Sequence, residues 1–171
     1  GIVAGRRNPG TLWLHNDSGA GPRIVALAKT GAAQAIYDLA GASARDWEDL
    51  ALGPGPVRGQ SYLYIGDIGD NGESRASIDI YRVAEPDVTM GSTTPSTLSG
   101  VERFPLQYPD RAHNAETLLV DPENGDVYIV TKSGDGSSLV FRAAAPLQAG
   151  MTTKLTQVAQ LKFGSAPLGG N

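Results

Sequence analysis

A three-fold internal repeat constrains the fold of this chain more than any other feature. Three six-residue segments align without gaps, and each carries an aromatic or aliphatic run with Trp or Tyr in its second place; they are residues 12–17, 63–68 and 127–132. Internal repeats of this kind indicate supersecondary units that bury their apolar faces only by stacking on neighbouring units. The sequence therefore predicts three similar units in one chain.

Each unit has the pattern of a four-stranded antiparallel sheet. Turn sequences at residues 8–10 and 123–125 precede two of the aligned segments at the same offset, and Asn-Gly is a strong hairpin signal. The aligned segment is then the second strand of a hairpin. The other predicted strands are first strands at 48–52 and 116–120, third strands at 24–27, 78–83 and 139–142, and fourth strands at 34–39, 101–107 and 157–163.

Four strands repeated three times predict an all-β fold, a β-propeller of about three blades that forms half of a six-bladed ring. The blades would cover residues 1–43, 44–113 and 114–171, within a single partial propeller domain. Residues 62–65 are apolar on both strand faces, as a blade stacked between two neighbours requires. The alternative is a β-sandwich, which also has short strands and frequent turns.

The stretches between and after the units predict exposed connections. Residues 86–99 are rich in Thr, Ser, Gly and Pro and are interpreted as a loop without regular structure, and residues 164–171 as a connection that ends before a next strand. Three blades leave two unpaired ends. We therefore expect a partner that completes the ring, either a second half of the same polypeptide or a second copy of the chain.

Charge and composition exclude several classes of partner. With 14 Lys and Arg against 18 Asp and Glu, the net charge is −4 and no basic cluster marks a nucleic-acid surface. No apolar run is long enough to span a bilayer, so no membrane association is expected. The absence of cysteine leaves the redox compartment open, and residues 1–10 lack the apolar core of a signal peptide. We expect an extracellular protein whose export signal, if it had one, has been removed.

Two predicted first strands begin with the same acidic pattern. Asp46-x-Glu48-x-Leu and Asn114-x-Glu116-x-Leu both fit Asp/Asn-x-Glu-x-Leu. First strands of propeller blades are innermost, so these side chains would converge at the channel mouth. Converging carboxylates repel one another, which raises a pKa or favours a bound cation. Oxygen ligands without cysteine favour Ca²⁺ over zinc. The alternative is that each glutamate bonds to backbone amides of the adjacent blade.

A second polar cluster follows two of the aligned strands, at residues 15–19 and 66–72. The repeat places Asn16 and Asp67 at equivalent strand ends, near the rim that carries the glutamates. An EF-hand is rejected because Gly69 and Ile78 occupy ligand positions of that loop. The alternative is that both clusters are ordinary turns. The predicted metal ligands are Asp17, Asp46, Glu48, Asp67, Asn114 and Glu116.

Catalytic side chains are not indicated clearly. Ser18 lies beside His15 and Asp17, but a catalytic triad is built by convergence in space and not by adjacency in sequence. His113 is the candidate for acid-base chemistry, since its ordinary pKa lies near neutrality; a solvated loop histidine is the alternative. Trp47 is expected to pack between blades, or to stack on a ligand in the channel.

The segments NPG-LW-HNDSG (from residue 8), DWED-A (from residue 46) and GDIGDN (from residue 66) resemble those of a group of bacterial, chiefly actinobacterial, propeller proteins. The likeness runs over most of the chain. More distantly, the chain is similar to six-bladed calcium-binding propellers that include phytase-like esterases and gluconolactonases. That resemblance implies Glu48, Asp67, Asn114 and Glu116 as ligands. It also implies further blades after residue 171. In the repeat, Gly1 aligns with Glu116, so the first unit lacks the acidic residue of that position, and the expectation is that the natural chain starts before Gly1.

Three functional hypotheses remain. The first is a binding module with a calcium site, which takes up a small-molecule or protein ligand at the channel mouth. The second is a metal-dependent hydrolase of phosphoesters, esters or lactones, in which the ion activates water and a carboxylate or His113 moves protons. The third is a repeat protein whose halves assemble only for structure. We prefer the first because no nucleophile or acid-base pair stands out.

Overall fold

The computed structural model describes residues 1–17, 19–88 and 92–163, with only the backbone at 92 and 93. These residues form fourteen β-strands in three sheets and no helix, so the all-β prediction is confirmed. No helix that could span a membrane is found in these ranges. In chain order the strands are β1 (Ile2–Ala4), β2 (Thr11–His15), β3 (Arg23–Ala28), β4 (Ala33–Leu39), β5 (Trp47–Gly53), β6 (Tyr62–Asp67), β7 (Ile78–Ala84), β8 (Ser92–Leu98), β9 (Glu102–Gln107), β10 (Ala115–Val120), β11 (Val127–Thr131), β12 (Ser137–Ala143), β13 (Thr153–Lys154) and β14 (Thr156–Lys162).

Each sheet has four antiparallel strands in chain order, except that β8 and β13 intervene in the chain and pair with other sheets. The first sheet runs β1-β2-β3-β4, the second β5-β6-β7-β9 and the third β10-β11-β12-β14. The first two sheets each gain a fifth, parallel strand, β8 on β4 and β13 on β9. The strands predicted from the repeat therefore exist, with ends that differ by one or two residues.

The interpretation of residues 86–99 as an unstructured loop is wrong, because the described part of that stretch contains β8. Ser96 and Leu98 pair in parallel with Tyr37 and Leu39. Thr tolerates extended backbone, and Pro95 falls at the edge of the sheet where the register with β4 shifts between Ala35 and Tyr37, a position that tolerates proline. The predicted connection at residues 164–171 lies outside the described residues.

Strand β6 separates two apolar clusters. Leu63 and Ile65 point into a cluster shared by the first and second sheets, which also contains Trp13. Tyr62 and Tyr64 point into a cluster shared by the second and third sheets. The alternation follows from the two-residue period of a strand. Both faces of β6 are thus buried against neighbouring sheets, as its apolar sequence predicts.

The first strands of the three sheets lie next to one another, with β5 in contact with β1 and β2 on one side and with β10 on the other. The ammonium group of Gly1 donates a hydrogen bond to the Glu48 carbonyl at 3.1 Å. On the other side, Leu118 N–H donates to Asp49 Oδ2 at 2.9 Å. The carboxylate that bonds to a backbone amide of the next sheet is therefore Asp49, one residue after the predicted Glu48.

Two further side chains join the first and second sheets. Trp47 is buried, packs on His15 and Tyr81 with centroids 5.6 and 6.1 Å away, and donates its Nε1–H to the Ser43 carbonyl. It is a packing residue, so stacking on a ligand in a channel is not its role. Glu85 is 1% exposed and accepts hydrogen bonds from Trp13 Nε1–H at 3.0 Å, among other donors.

Candidate metal centre

Three carboxylates from two sheets meet at the ends of β2 and β5. Asp17 follows β2, Asp46 precedes β5, and Glu48 is the second residue of β5. One ligand oxygen from each lies within 4.8 Å of the others. It is the one such group of three that the described ranges contain. The register of β5 against β6 shifts between Trp47 and Asp49, so Glu48 lies at an irregularity of the strand, where side chains need not follow the usual alternation.

Glu116, from β10 in the third sheet, lies beside this group. Its charge helps to raise the pKa of Glu48, and its Oε1 accepts a hydrogen bond from Lys132 Nζ at 2.8 Å. Strands β5 and β10 are neighbours, so the shared Asp/Asn-x-Glu-x-Leu pattern brings both glutamates to the same end of the first strands. All three sheets therefore contribute a carboxylate to this region, which we call the acidic group: Asp17, Asp46, Glu48 and Glu116.

The backbone of Gly69 forms one wall of the acidic group. Its N–H donates to the Asp46 carbonyl at 3.1 Å, and its carbonyl accepts from Arg75 Nη1 at 2.8 Å. A Cβ at this position would clash with Asp46 Oδ2 and lie 2.5 Å from Glu48 Oε1. Because Gly69 is not among the residues with positive φ, the reason for glycine here is space and not backbone conformation.

Electrostatic repulsion in the acidic group disfavours ionisation. Burial and then the charges of Glu116, Asp46 and Asp17 raise the pKa of Glu48 from 4.5 to about 7. Burial, together with Asp17, also raises the pKa of Asp46. A like charge and desolvation both penalise the anion. The fold thus holds these carboxylates close enough to repel one another, and a bound cation would offset that repulsion.

Asp67 lies next to Asp46 in space, but its carboxylate is engaged within the protein. It is 1% exposed, and it accepts hydrogen bonds from Arg75 Nη1 at 2.8 Å and from the backbone N–H groups of Arg45 and Asp46 at 3.1 and 3.0 Å. These bonds fix the turn that leads into β5. Asp67 thus positions Asp46, and it is not a member of the group of three.

Asn114 is likewise engaged within the protein. Its Oδ1 accepts a hydrogen bond from Asp70 N–H at 2.7 Å, and its Nδ2 donates to Asn71 Oδ1 at 3.3 Å. Asn114 therefore ties the start of β10 to the loop after β6, which contains Gly69. The structure brings together four of the six predicted ligands and gives Asp67 and Asn114 supporting contacts.

His113 is 3% exposed, so the alternative of a solvated loop histidine is wrong. Its ring packs on Tyr108 and Phe141, with centroids 4.9 and 5.2 Å away, and Nε2 lies 3.1 Å from both carboxylate oxygens of Asp110. Those contacts anchor the segment before β10. Ser18 lies outside the described residues.

Two residues of this region escaped the sequence analysis. Lys132 aligns with Asp17 in the repeat, and that equivalence alone could have placed it at the same rim. Gly69 was noticed only as a residue that excludes an EF-hand. A glycine within a polar turn gives no sign of the side chains that will approach it.

Comparison with known proteins adds no relative to this picture. No protein-family model matches the chain, and no curated protein or solved structure does so.

Proposed function

We propose that the chain is a β-propeller module of about three blades, half of a six-bladed ring, which binds Ca²⁺ at the acidic group and takes up a small-molecule or protein ligand there. The observation that carries the proposal is the convergence of Asp17, Asp46 and Glu48 within 4.8 Å. Ca²⁺ binds oxygens at about 2.3–2.6 Å, so two ligands on opposite sides of one ion are about 5 Å apart. The spacing therefore suits a single ion.

The donor set favours calcium over other metals. Carboxylate oxygens are hard ligands, and no cysteine is present to favour zinc. Glu116 could extend the set if Lys132 releases it, and water or the ligand would supply the remaining oxygens. The bound ion would offset the repulsion that raises the pKa of Glu48.

The propeller arrangement is supported by the order of strands. The sheets contact one another through their first and second strands, β1 and β2 with β5 and β10 with β5 and β6, and the fourth strand lies at the other end of each four-strand order, as in blades around a channel. The ring would be completed by a second fragment or a second copy of the chain. An extracellular location, where calcium is abundant, fits the proposed site.

The site can be tested with terbium, an oxygen-seeking ion that replaces Ca²⁺ and luminesces when a nearby tryptophan is excited. Trp47 lies between Asp46 and Glu48 in sequence and is the natural sensitiser. We expect sensitised emission that Ca²⁺ displaces and that Glu48→Gln weakens at least about tenfold. Glu123→Gln, in a turn between β10 and β11, is the matched control. Emission equally strong in both variants, or none in the wild type, would refute the cation site.

Native mass spectrometry before and after chelation tests the ring. A dimer, or a complex with a second fragment, is expected, and the ion should stay bound to it. A stable monomer that binds calcium would leave the site intact but contradict the half-ring. The two parts of the proposal therefore fail separately.

A metal-dependent hydrolase of phosphoesters, esters or lactones is the second candidate, favoured by one observation: the group of three is open to solvent on the side of the exposed Asp17, which leaves room for water and a substrate beside a bound ion. Calcium-dependent release of nitrophenol from its phosphate or acetate ester, lost in Glu48→Gln but retained in Glu123→Gln, would support it. Absence of turnover in a protein that binds calcium would leave the binding module as the function.

A further inference from the structure

A small cavity lies between the loop that connects β6 to β7 and the segment that joins β9 to β10. Its volume is about 150 Å³, more than the roughly 30 Å³ that one water molecule takes up in the liquid. Arg75 and Tyr108, each 7% exposed, line it together with Asp110 and Arg111. None of the carboxylates of the acidic group lines this cavity, so it is a separate place in the fold.

The two buried side chains of the cavity each carry a polar atom without a hydrogen-bond partner. In Arg75 that atom is Nε, and in Tyr108 it is the hydroxyl oxygen. Within the described ranges only one other buried side-chain atom lacks a partner, His15 Nε2, which lies elsewhere. Buried polar groups of native proteins are nearly always hydrogen-bonded. Two such exceptions at one cavity therefore indicate that something with acceptor atoms belongs there.

The guanidinium group of Arg75 is fixed from the side that faces the acidic group. Its Nη1 donates to Asp67 Oδ1 and to the Gly69 carbonyl, both at 2.8 Å. The group cannot turn to pair its Nε–H without breaking these bonds. Nε and the adjacent Nη2 form the edge with which a guanidinium group holds both oxygens of a carboxylate. The unpaired Nε–H thus belongs to the edge that suits an oxyanion.

Tyr108 adds a neutral donor to the same cavity. Its ring is held by edge contacts with Phe141 and His113, with centroids 4.8 and 4.9 Å away. Burial raises the pKa of its hydroxyl, and the charge of Arg75 opposes only part of that rise. The hydroxyl therefore keeps its proton at neutral pH, and it can donate that proton in a hydrogen bond to an acceptor oxygen.

We propose that this cavity binds the carboxylate group of a ligand, whose oxygens accept hydrogen bonds from Arg75 Nε–H and from the Tyr108 hydroxyl. Two guanidinium groups and one carboxylate line the cavity, which favours an anion of a single charge. A phosphate group, which is largely a dianion at neutral pH, would bring a second negative charge towards Asp110. A small free acid and the C-terminus of a peptide both present the required group. The inference does not depend on the cation site.

The test is a titration of the full chain with acetate, at constant ionic strength against chloride, followed by the Nε–H signal of Arg75 in nitrogen-edited NMR spectra. We expect a saturable shift of that signal and slower exchange of its proton. Tyr108→Phe should weaken acetate binding at least about threefold, the effect of one lost neutral hydrogen bond. Tyr62→Phe is the matched control, because Tyr62 is also 7% exposed but its hydroxyl donates to Gln60.

Tyr108→Phe also keeps the test independent of folding. Its hydroxyl has no partner in the protein, so the variant should be at least as stable as the wild type in chemical denaturation. The peptide Gly-Gly-Gly and its C-terminal amide distinguish the two sources of the carboxylate. Tighter binding of the free-acid peptide than of acetate, lost in the amide, would identify a chain end as the ligand. Tighter binding of acetate would identify a small free acid, and both results support the proposal.

Four results would overturn the proposal. The first is the absence of a saturable shift at Arg75, and the second is an unchanged acetate affinity in Tyr108→Phe. The third is a stronger response to phosphate or chloride than to acetate, which would mean that the cavity does not select a carboxylate. The fourth is a nuclear Overhauser effect from water to the Arg75 Nε–H that acetate leaves unchanged, which would mean that the cavity holds water only. Each of these results can occur whether or not terbium binds to the acidic group.

Discussion

Gly69 donates its backbone N–H to the Asp46 carbonyl at 3.1 Å, and this bond holds a bare backbone against the carboxylates of Asp46 and Glu48. The close approach connects the loop after β6 to the entry of β5. It makes the shape of the acidic group depend on a position that carries no side chain.

Gly69→Ala should therefore disrupt the acidic group. The added methyl group clashes with two side chains, and overpacking of this kind costs about 2 kcal/mol of the free energy of unfolding. Gly72→Ala is the control, because the nearest atom to its Cβ is Ser74 Oγ at 3.6 Å. Chemical denaturation and terbium titration of both variants provide the measurement. Equal behaviour of the two variants would contradict the assigned role of Gly69.

Glu48 should make the stability of the metal-free protein depend on pH. Its pKa is 4.5 ordinarily and about 7 in the fold, so its protonated form favours folding. That contribution is fully present below about pH 4.5 and is lost as the pH rises through about 7. The full pKa difference corresponds to about 3 kcal/mol, and solvent screening of the partly exposed carboxylate reduces it, so relative to Glu48→Gln the wild type should lose about 2 kcal/mol of unfolding free energy over that range. Denaturation curves at several pH values measure it; a constant difference between the two proteins would contradict it.

Lys132 is expected to compete with a bound cation. Its ammonium group pairs with Glu116, and the charges of Glu116, Glu48 and Asp17 raise its pKa. Lys132→Gln should strengthen terbium binding about threefold, the modest effect of a solvent-exposed ion pair. Lys29→Gln, in the turn between β3 and β4, controls for net charge. Weaker binding in Lys132→Gln would mean that the lysine supports the site.

Asp67 should behave as a structural residue. Asp67→Asn leaves the buried guanidinium of Arg75 without its carboxylate, which costs about 3 kcal/mol of unfolding free energy. Asp38→Asn breaks the exposed pair with Arg23 and should change the free energy of unfolding far less, because solvent screens that pair. Thermal and chemical denaturation measure both variants. A stable Asp67→Asn protein with much weaker terbium binding would instead identify Asp67 as a ligand.

The repeat predicted the strands and the meeting of Glu48 and Glu116, because equivalent positions in stacked sheets fall at the same end. It could not predict the roles of Asp67 and Asn114. Their partners, Arg75 and the Asp70 amide, belong to a loop whose path depends on packing with the third sheet. The sequence around a polar residue at a strand end looks the same whether its side chain binds an ion or a neighbouring backbone amide.

Strand β8 was missed for a different reason. Ser and Thr around Pro95 lack the alternation that marks a half-buried strand, and the pairing partner β4 lies in another repeat. The extended conformation is imposed by an edge that the first sheet offers. Propeller closure, the bound ion and the partner stay predictions for the experiments above, and the extracellular location also stays a prediction.

Strands β8 and β13 each pair with a sheet whose other strands come earlier in the chain, and this pairing has a consequence for biosynthesis. The first sheet receives its last strand only after the ribosome has made the third strand of the second sheet, and the second sheet likewise waits for the third. The fifth strand of the first and of the second sheet is therefore made during translation of the following sheet, so the sheets complete their folding on the ribosome in overlapping steps. A nascent chain that stalls between residues 39 and 92 would expose the outer edge of β4 to aggregation.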